Sequence, residues 1–201
     1  MSHRGLFRFL VVREGKLTGE TMIVIVTSGE DFTEGKVFTA MIRSEFPETV
    51  SLVRGINRSA GSVAACRERT VLYGAEHISE RIGDLTFAVS PDSFFQTNSR
   101  QALHLYEAVA DFSGLDGGGH LLDLYCGTGT IGIFLAKRAE RVTGVELSDD
   151  AIRDAGLNAR WNGVGNCAFI AGGVEDILDE NLGRFDVVVC DPPRAGIHPR
   201  A

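Results

Sequence analysis

Apolar and polar positions follow two different rhythms along this chain, and the change falls near residue 90. In the first stretch, Leu6–Val12 and Thr21–Thr27 are apolar, β-branched runs separated by the polar, glycine-containing segment Arg13–Glu20. That pattern predicts a hairpin with a loop longer than the tightest type. Over Phe32–Phe46, Phe38, Met41, Ile42 and Glu45 recur near helical spacing, and Pro47 ends the run, which predicts a helix. Thr49–Ile56 reads as a strand, Asn57–Ala65 as a Gly/Ser/Ala loop, and Thr70–Tyr73 and Leu85–Val89 as short strands. Residues 1–90 are thus expected to form a small α+β subdomain.

From residue 91 onward, strand and helix patterns alternate. Asn98–Phe112 places Leu103, Tyr106, Val109 and Ala110 on one helical face. Strands are predicted over Leu121–Tyr125, Val142–Leu147, Cys167–Ala171 and Phe185–Cys190, with helices over Thr130–Arg138, Asp149–Asn162 and Val174–Leu178 between them. Ser148 is a fitting N-cap for Asp149–Asn162. Two acids lie in that helix's first turn, where the dipole favours them, and Gly163 follows its end. The strands are nearly continuous apolar runs, as expected where helices cover both faces. Repeated β-α-β units predict a parallel, doubly wound sheet of about four strands over residues 91–201.

The 201 residues suit one large or two small domains. Hydrophobic residues are 44% and charged residues 23% of the chain, which excludes disorder and collagen. No run approaches the roughly 18 apolar residues that span a bilayer, and no secretory leader pattern opens the sequence. Net charge is −7, against a general electrostatic nucleic-acid binder. The acid is concentrated in residues 97–201, while Arg54, Arg58, Arg67 and Arg69 cluster in the first half and offer either a phosphate contact or a solvated loop. Cys66, Cys126, Cys167 and Cys190 form no CxxC or CxxH pair, so no metal site is expected and a reduced, cytoplasmic protein is.

The densest chemical signal is Asp123-Leu-Tyr-Cys-Gly-Thr-Gly-Thr-Ile-Gly132, which joins a strand to a helix through Gly127, Gly129 and Gly132. Glycines let a backbone turn sharply and approach a ligand, and this crevice is the ordinary ligand site of a doubly wound sheet. The spacing fits G-x-G-x-x-G. Glu146 ends the next strand, where a carboxylate can accept both ribose hydroxyls of an adenosine ligand. Nicotinamide and S-adenosylmethionine proteins share both devices. Asp191-Pro192-Pro193-Arg194 separates them, because two prolines make a stiff turn that directs a carboxylate and free carbonyls into the crevice. Methyltransferases acting on planar nitrogen or base substrates use such a turn, and dehydrogenases do not. Ser90-Pro-Asp-Ser-Phe-Phe-Gln96-Thr-Asn98 adds two adjacent phenylalanines, an amide and an asparagine. Core packing accounts for the phenylalanines but not for Gln96 or Asn98.

Taken in order, Ser-Phe-Phe-Gln-Thr-Asn, Asp-Leu-Tyr-Cys-Gly-Thr-Gly-Thr, Gly-Val-Glu, Asn158 through Gly163, and Asp-Pro-Pro-Arg-Ala-Gly resemble the RNA (uracil-C5)-methyltransferases over nearly the whole chain. The resemblance implies a Rossmann-like, S-adenosylmethionine-binding domain over 91–201. It implies that Gln96, Tyr125, Glu146 and Asp191 contact the cofactor, with Gly127 and Gly129 in the loop beneath it. It implies an RNA substrate, ribosomal RNA before transfer RNA. Thr130 stands where some members carry Asn, and Ala171-Gly172-Gly173 departs from a common Gly-Asp pattern, leaving Glu175 or Asp176 to face the adenine.

In that family a cysteine thiolate adds to carbon 6 of uracil, so that carbon 5 can take a methyl group. A base then removes the carbon-5 proton and the thiolate leaves. The resemblance places both groups in segments beyond Asp-Pro-Pro-Arg, whereas this sequence stops at Ala201. None of the four cysteines is assigned the role, although the arginines near Cys66 are of the kind that lower a thiol pKa. The expectation is a truncated or degenerate relative, inactive alone, whose Val-Val-Val-Cys strand is an uncovered edge prone to self-association. Three other readings stay open: an amino-nitrogen methyltransferase of the same fold, an inactive cofactor- or RNA-binding module, and a nicotinamide oxidoreductase.

Overall fold

The computed structural model describes residues 5–59, 64, 66, 68–178, 182–194, 196 and 197. The chain divides into two compact units, residues 1–80 with 89–92, and residues 81–88 with 93–201.

The first unit is a four-stranded mixed sheet. β1 (Phe7–Glu14) and β2 (Thr21–Thr27) pair antiparallel, as the alternation predicts. α1 (Gly35–Glu45) then returns the chain so that β3 (Thr49–Ile56) lies parallel to β2, and β4 (Glu68–Gly74) closes the order β1-β2-β3-β4. Of the predicted helix face, Ile42 is buried and Phe38 packs beside it, whereas Met41 is 48% exposed. Most of the Asn57–Ala65 segment lies outside the described residues, as does Arg67. Arg54 donates to Thr27 Oγ1 at 3.0 Å and to the Glu30 carbonyl, Arg58 pairs with Glu68, and Arg69 pairs with Asp92 at 3.3 Å. These three arginines are therefore held by partners within the unit.

β5 (Ile78–Ile82) and β6 (Leu85–Val89) form a two-stranded sheet. The patterning above leaves β5 out, because its charged Glu80-Arg81 interrupts a short run. In the structure Ile78, Glu80 and Ile82 alternate inward, and Glu80 is buried because its carboxylate accepts from the amides of Lys16 and Leu17.

The second unit contains α2 (Ser99–Ser113), β7 (His120–Leu124), α3 (Thr130–Leu135), β8 (Arg141–Glu146), α4 (Asp149–Trp161), β9 (Cys167–Ala171), α5 (Val174–Ile177) and β10 (Val187–Cys190). A 3-10 turn, Ala136–Arg138, finishes what the pattern predicts as one helix through Arg138. All four strands are parallel, in the order β10-β7-β8-β9. This is the expected α/β Rossmann-like sheet. The core packs Phe87, Tyr106, Leu121, Ile133, Leu135 and Val142 together.

One expectation is corrected here. Helices bury both faces of β7 and β8, but β9 and β10 alternate between half-buried and exposed positions, with Val188 55% exposed. Edge strands have a neighbour on one side only. Cys190 at the end of β10 is exposed.

Candidate functional site

The strand order reverses between β7 and β10, since β8 extends the sheet on the other side of β7. Parallel sheets open a crevice outside their carboxyl ends at such a switch point. A solvent-open cleft of about 370 Å³ lies there, walled by Phe94, Phe95, Gln96, Tyr125, Gly127 and Asp191, with Tyr106, Cys126, Thr128, Thr130 and Ile131 completing its lining.

Four of the six residues singled out in the sequence, Gln96, Tyr125, Gly127 and Asp191, share this cleft. The other two stand behind it. Glu146 accepts from the Gly127 amide at 3.2 Å and from the Ser148 amide at 2.9 Å, so its carboxylate fixes the loop from the β8 side. Gly129 is the N-cap of α3 at φ +77°. A Cβ there would stand 2.9 Å from the Phe169 ring and 3.0 Å from Ala155, so close packing demands glycine. Gly127, at φ +54°, has nothing within 4 Å of its absent Cβ. It is glycine for its backbone and for the open space above it.

Tyr125 leaves β7 in the left-handed region at φ +61°, the only such described residue that is not glycine. That conformation costs an L-residue of this size on the order of 1–3 kcal/mol. Its side chain packs against the buried cluster of Leu122, Leu124, Val145, Val174 and Ile177. The loop is held further by Cys126, whose amide donates to the Val145 carbonyl at 3.0 Å. The Asp191 amide reaches the Leu124 carbonyl at 3.4 Å, joining the Asp-Pro-Pro turn to β7.

The Asn-Ala-Arg-Trp-Asn-Gly stretch proves to be a bracket. Asn158, fully buried, accepts from the Ala88 amide at 2.7 Å and donates to the Thr128 carbonyl at 3.0 Å. One turn on, Asn162 pairs with both backbone groups of Thr86. Asn98 caps α2 by accepting from the Gln101 amide at 3.1 Å, which supplies the reason for this residue that packing alone does not. Phe95 packs toward the core beside Phe87, whereas Phe94 is 71% exposed at the cleft.

Two residues of the site carry no assignment in the sequence reading. Tyr106, 1% exposed on α2, shares a 2.9 Å hydrogen bond with Thr130 Oγ1 in the cleft lining. Asp123, 1% exposed, accepts from the Gly132 amide at 2.9 Å through Oδ2. An aspartate inside an apolar strand is the sequence signal that points to it, since a buried carboxyl needs compensation. Burial, with the charges of Asp191 and Glu146, pushes its pKa up to about 7. Asp123 Oδ1, Tyr125 Oη and Thr128 Oγ1 are all buried without a hydrogen-bond partner among the described residues. Three orphaned polar atoms about one glycine turn fit a site that a polar ligand completes.

The thiols are not activated. Burial raises the Cys66 pKa to about 11 despite Arg69, and that of Cys167 to about 12, and burial likewise raises Cys126 and Cys190. The expected lowering of Cys66 is therefore reversed: Asp92 beside it adds to the upward push. Among the described residues there is no cluster suited to a metal ion, and no helix is long and apolar enough to cross a membrane.

Residues 115–197 match the family model of a methyltransferase domain. The whole chain is 40% identical to an uncharacterised RNA methyltransferase of Clostridium tetani and spans 44% of that protein. It is 41% identical, over 96% of its length, to one from Halalkalibacterium halodurans, of which it spans 43%. Among solved structures it resembles the Pyrococcus abyssi tRNA (uracil-54, C5)-methyltransferase in complex with S-adenosyl-L-homocysteine, at 35% identity and a TM-score of 0.78, covering 98% of this chain and 46% of that one. The chain thus spans less than half the length of these relatives. Its second unit has the Rossmann-like α/β fold of methyltransferases, and the similarity of the chain to longer RNA methyltransferases runs from end to end.

Proposed function

We propose that this chain is the cofactor-binding and central part of an S-adenosylmethionine-dependent RNA methyltransferase that forms 5-methyluridine. The observation that carries the reading is the convergence of Gln96, Tyr125, Gly127 and Asp191 on one cleft at the switch point of the sheet. S-adenosylmethionine supplies an electrophilic methyl group. Asp191 and Gln96 bring a carboxylate and an amide to the cleft, and Gly127 leaves space over the turn. Glu146 holds the turn with one lone pair of each oxygen, and the lone pairs that remain can accept ribose hydroxyls.

Carbon 5 of uracil needs a thiolate at carbon 6 before it accepts a methyl group. The raised pKa values of all four cysteines leave none suited to that step. The proposal therefore assigns the nucleophile and the base that follows it to parts of the protein outside these 201 residues. The same observation supports a second reading, in which the Asp191-Pro-Pro turn positions an amino nitrogen and no thiolate is required.

Calorimetric titration of S-adenosylmethionine into the chain tests the cofactor reading. Binding is expected, and Asp191→Ala and Glu146→Ala should each weaken it by tenfold or more, about 1.4 kcal/mol. No binding by the folded chain overturns it. Nucleoside mass spectrometry of ribosomal and transfer RNA incubated with the full-length enzyme and labelled cofactor then separates the two chemistries. Label in 5-methyluridine supports the first reading, and label on an exocyclic amine supports the second.

A further inference from the structure

We infer that Tyr106 is a positioning residue of the cleft: its buried hydroxyl holds the Thr130 hydroxyl so that Thr130 donates to the carboxylate at the amino-acid end of the cofactor. The inference rests on the cofactor reading above and deepens it.

The side chains of Tyr106, Tyr125, Thr128 and Thr130 bring hydroxyls to the cleft lining. Those of Tyr125 and Thr128 have no partner among the described residues. Tyr106 Oη and Thr130 Oγ1 have each other, at 2.9 Å. The two members of this pair sit differently. Tyr106 is 1% exposed on α2, and its ring meets Phe134 edge-on with 5.6 Å between centroids. That packing fixes where the phenol oxygen stands. Thr130 is half-buried at the start of α3. A phenol is a stronger acid than an aliphatic alcohol, so Tyr106 gives the proton of the shared bond and Thr130 accepts it. Burial keeps the phenol protonated, and Asp123 and Asp191 add to that. Thr130 then retains its own proton, and its Oγ1 has no other partner among the described residues. The result is a hydroxyl donor held in place at the cleft wall.

The strand order indicates which part of the ligand lies against it. Glu146 stands on the β8 side of the β7 turn, and Asp191 on the β10 side. With its ribose at Glu146, S-adenosylmethionine crosses the turn toward β10. Its amino-acid end then reaches Asp191, Tyr106 and Thr130, which share the cleft. That end carries an ammonium, which only donates, and a carboxylate, which only accepts. Asp191 is an acceptor and suits the ammonium. A held hydroxyl donor suits the carboxylate, and hydrogen bonds to charged groups are the strong ones. Without the Tyr106 proton, the Thr130 hydroxyl is free to rotate, and orienting it costs part of the binding free energy.

Titration calorimetry of the full chain with S-adenosylmethionine and with its decarboxylated analogue tests this. The analogue keeps the adenosine, the sulfonium and the ammonium and lacks only the carboxylate. Tyr106→Phe removes the phenol oxygen and keeps the ring against Phe134, and Thr130→Val removes the other hydroxyl and keeps the branched shape. Thr130→Val should bind S-adenosylmethionine about tenfold more weakly than the native chain, and Tyr106→Phe about fivefold more weakly. The double variant should match Thr130→Val at about tenfold, rather than reach the product of about fiftyfold, because Tyr106 acts through Thr130. Affinity for the analogue should stay within about twofold of native in all three. A Tyr106→Phe chain that binds S-adenosylmethionine as the native chain does overturns the inference. So do equal losses for both ligands, which would mark a merely structural role, and a double variant at the full product. The cycle needs S-adenosylmethionine alone, so it decides even where the analogue binds too weakly to measure. In each of these cases the cofactor reading stands. Failure of the folded native chain to bind S-adenosylmethionine overturns that reading and the inference with it.

Discussion

The turns that follow β7 and β8 sit side by side in one parallel sheet and do opposite things with their polar groups. After β8 both the strand-end carboxylate and the cap hydroxyl find partners. Glu146 accepts from two amides, and Ser148 caps α4 by accepting from the Ala151 amide at 3.3 Å. After β7 the backbone enters the left-handed region at Tyr125, Gly127 and Gly129, and two buried hydroxyls there, with Asp123 Oδ1 on β7 itself, stay unpaired among the described residues. Two turns of the same topology, built from the same fold, thus differ in how complete they are without a ligand. Stored strain and orphaned groups gather where something else is meant to bind.

The sharpest way to break the contrast is to remove the charge of Asp123. Its folded-state pKa of about 7 lies above the ordinary carboxyl value of an unfolded chain. The folded chain therefore binds the proton more tightly, and stability is greatest below about pH 4. It should fall as pH rises from about 4 to about 7, by on the order of 4 kcal/mol, and level off above. Asp123→Asn should lack this decline. Urea unfolding of both proteins across that range measures the difference, and parallel pH profiles would show that the buried acid is already ionised in the folded state.

Next in size is Gly129→Ala. The added Cβ meets the Phe169 ring and Ala155 and also forces a positive φ on a residue with a side chain. Overpacking and backbone strain together should cost about 3 kcal/mol. Gly127→Ala in the same loop has open space, so only the backbone term applies and about 1 kcal/mol is expected. Equal losses in urea unfolding would mean that the loop relaxes around either substitution.

How far the sequence carries can be judged on these same residues. β2, β3, β6 and β9 fall within the boundaries read from apolar runs, and the Ser148 cap is where the pattern puts it. Periodicity works there because burial decides the outcome. It fails for β5, where Glu80 is buried by hydrogen bonds to amides that lie 64 and 63 residues away in the chain. Glycines and prolines declare their turns locally and led to Gly127 and Asp191, whereas Gln96 and Tyr125 came from the family resemblance. Neither source declares who holds whom. The backing role of Glu146, the Asn158 bracket and the orphaned oxygen of Asp123 all depend on groups brought together by the fold. Cys66 is misread for a related reason: charge on nearby arginines is visible in sequence, whereas burial and Asp92 are not.

The smallest predicted effects carry opposite signs in the two turns. Ser148→Ala deletes a satisfied cap after β8 and should destabilise the chain by about 1 kcal/mol. Tyr125→Phe deletes an unsatisfied buried hydroxyl after β7 while keeping the ring that packs on the cluster of Leu122, Leu124, Val145, Val174 and Ile177. Relief of that burial cost should stabilise the ligand-free chain by about 1 kcal/mol. If the hydroxyl is the atom a bound cofactor satisfies, the same variant should bind S-adenosylmethionine several-fold more weakly. Thermal unfolding with and without cofactor reads both quantities at once. A Phe variant that is more stable when empty and gains less from ligand would identify the turn after β7 as one whose missing partner is the cofactor. A variant less stable in both states would mean that the hydroxyl already has a partner in solution, such as an ordered water, and the two turns would then be equally complete.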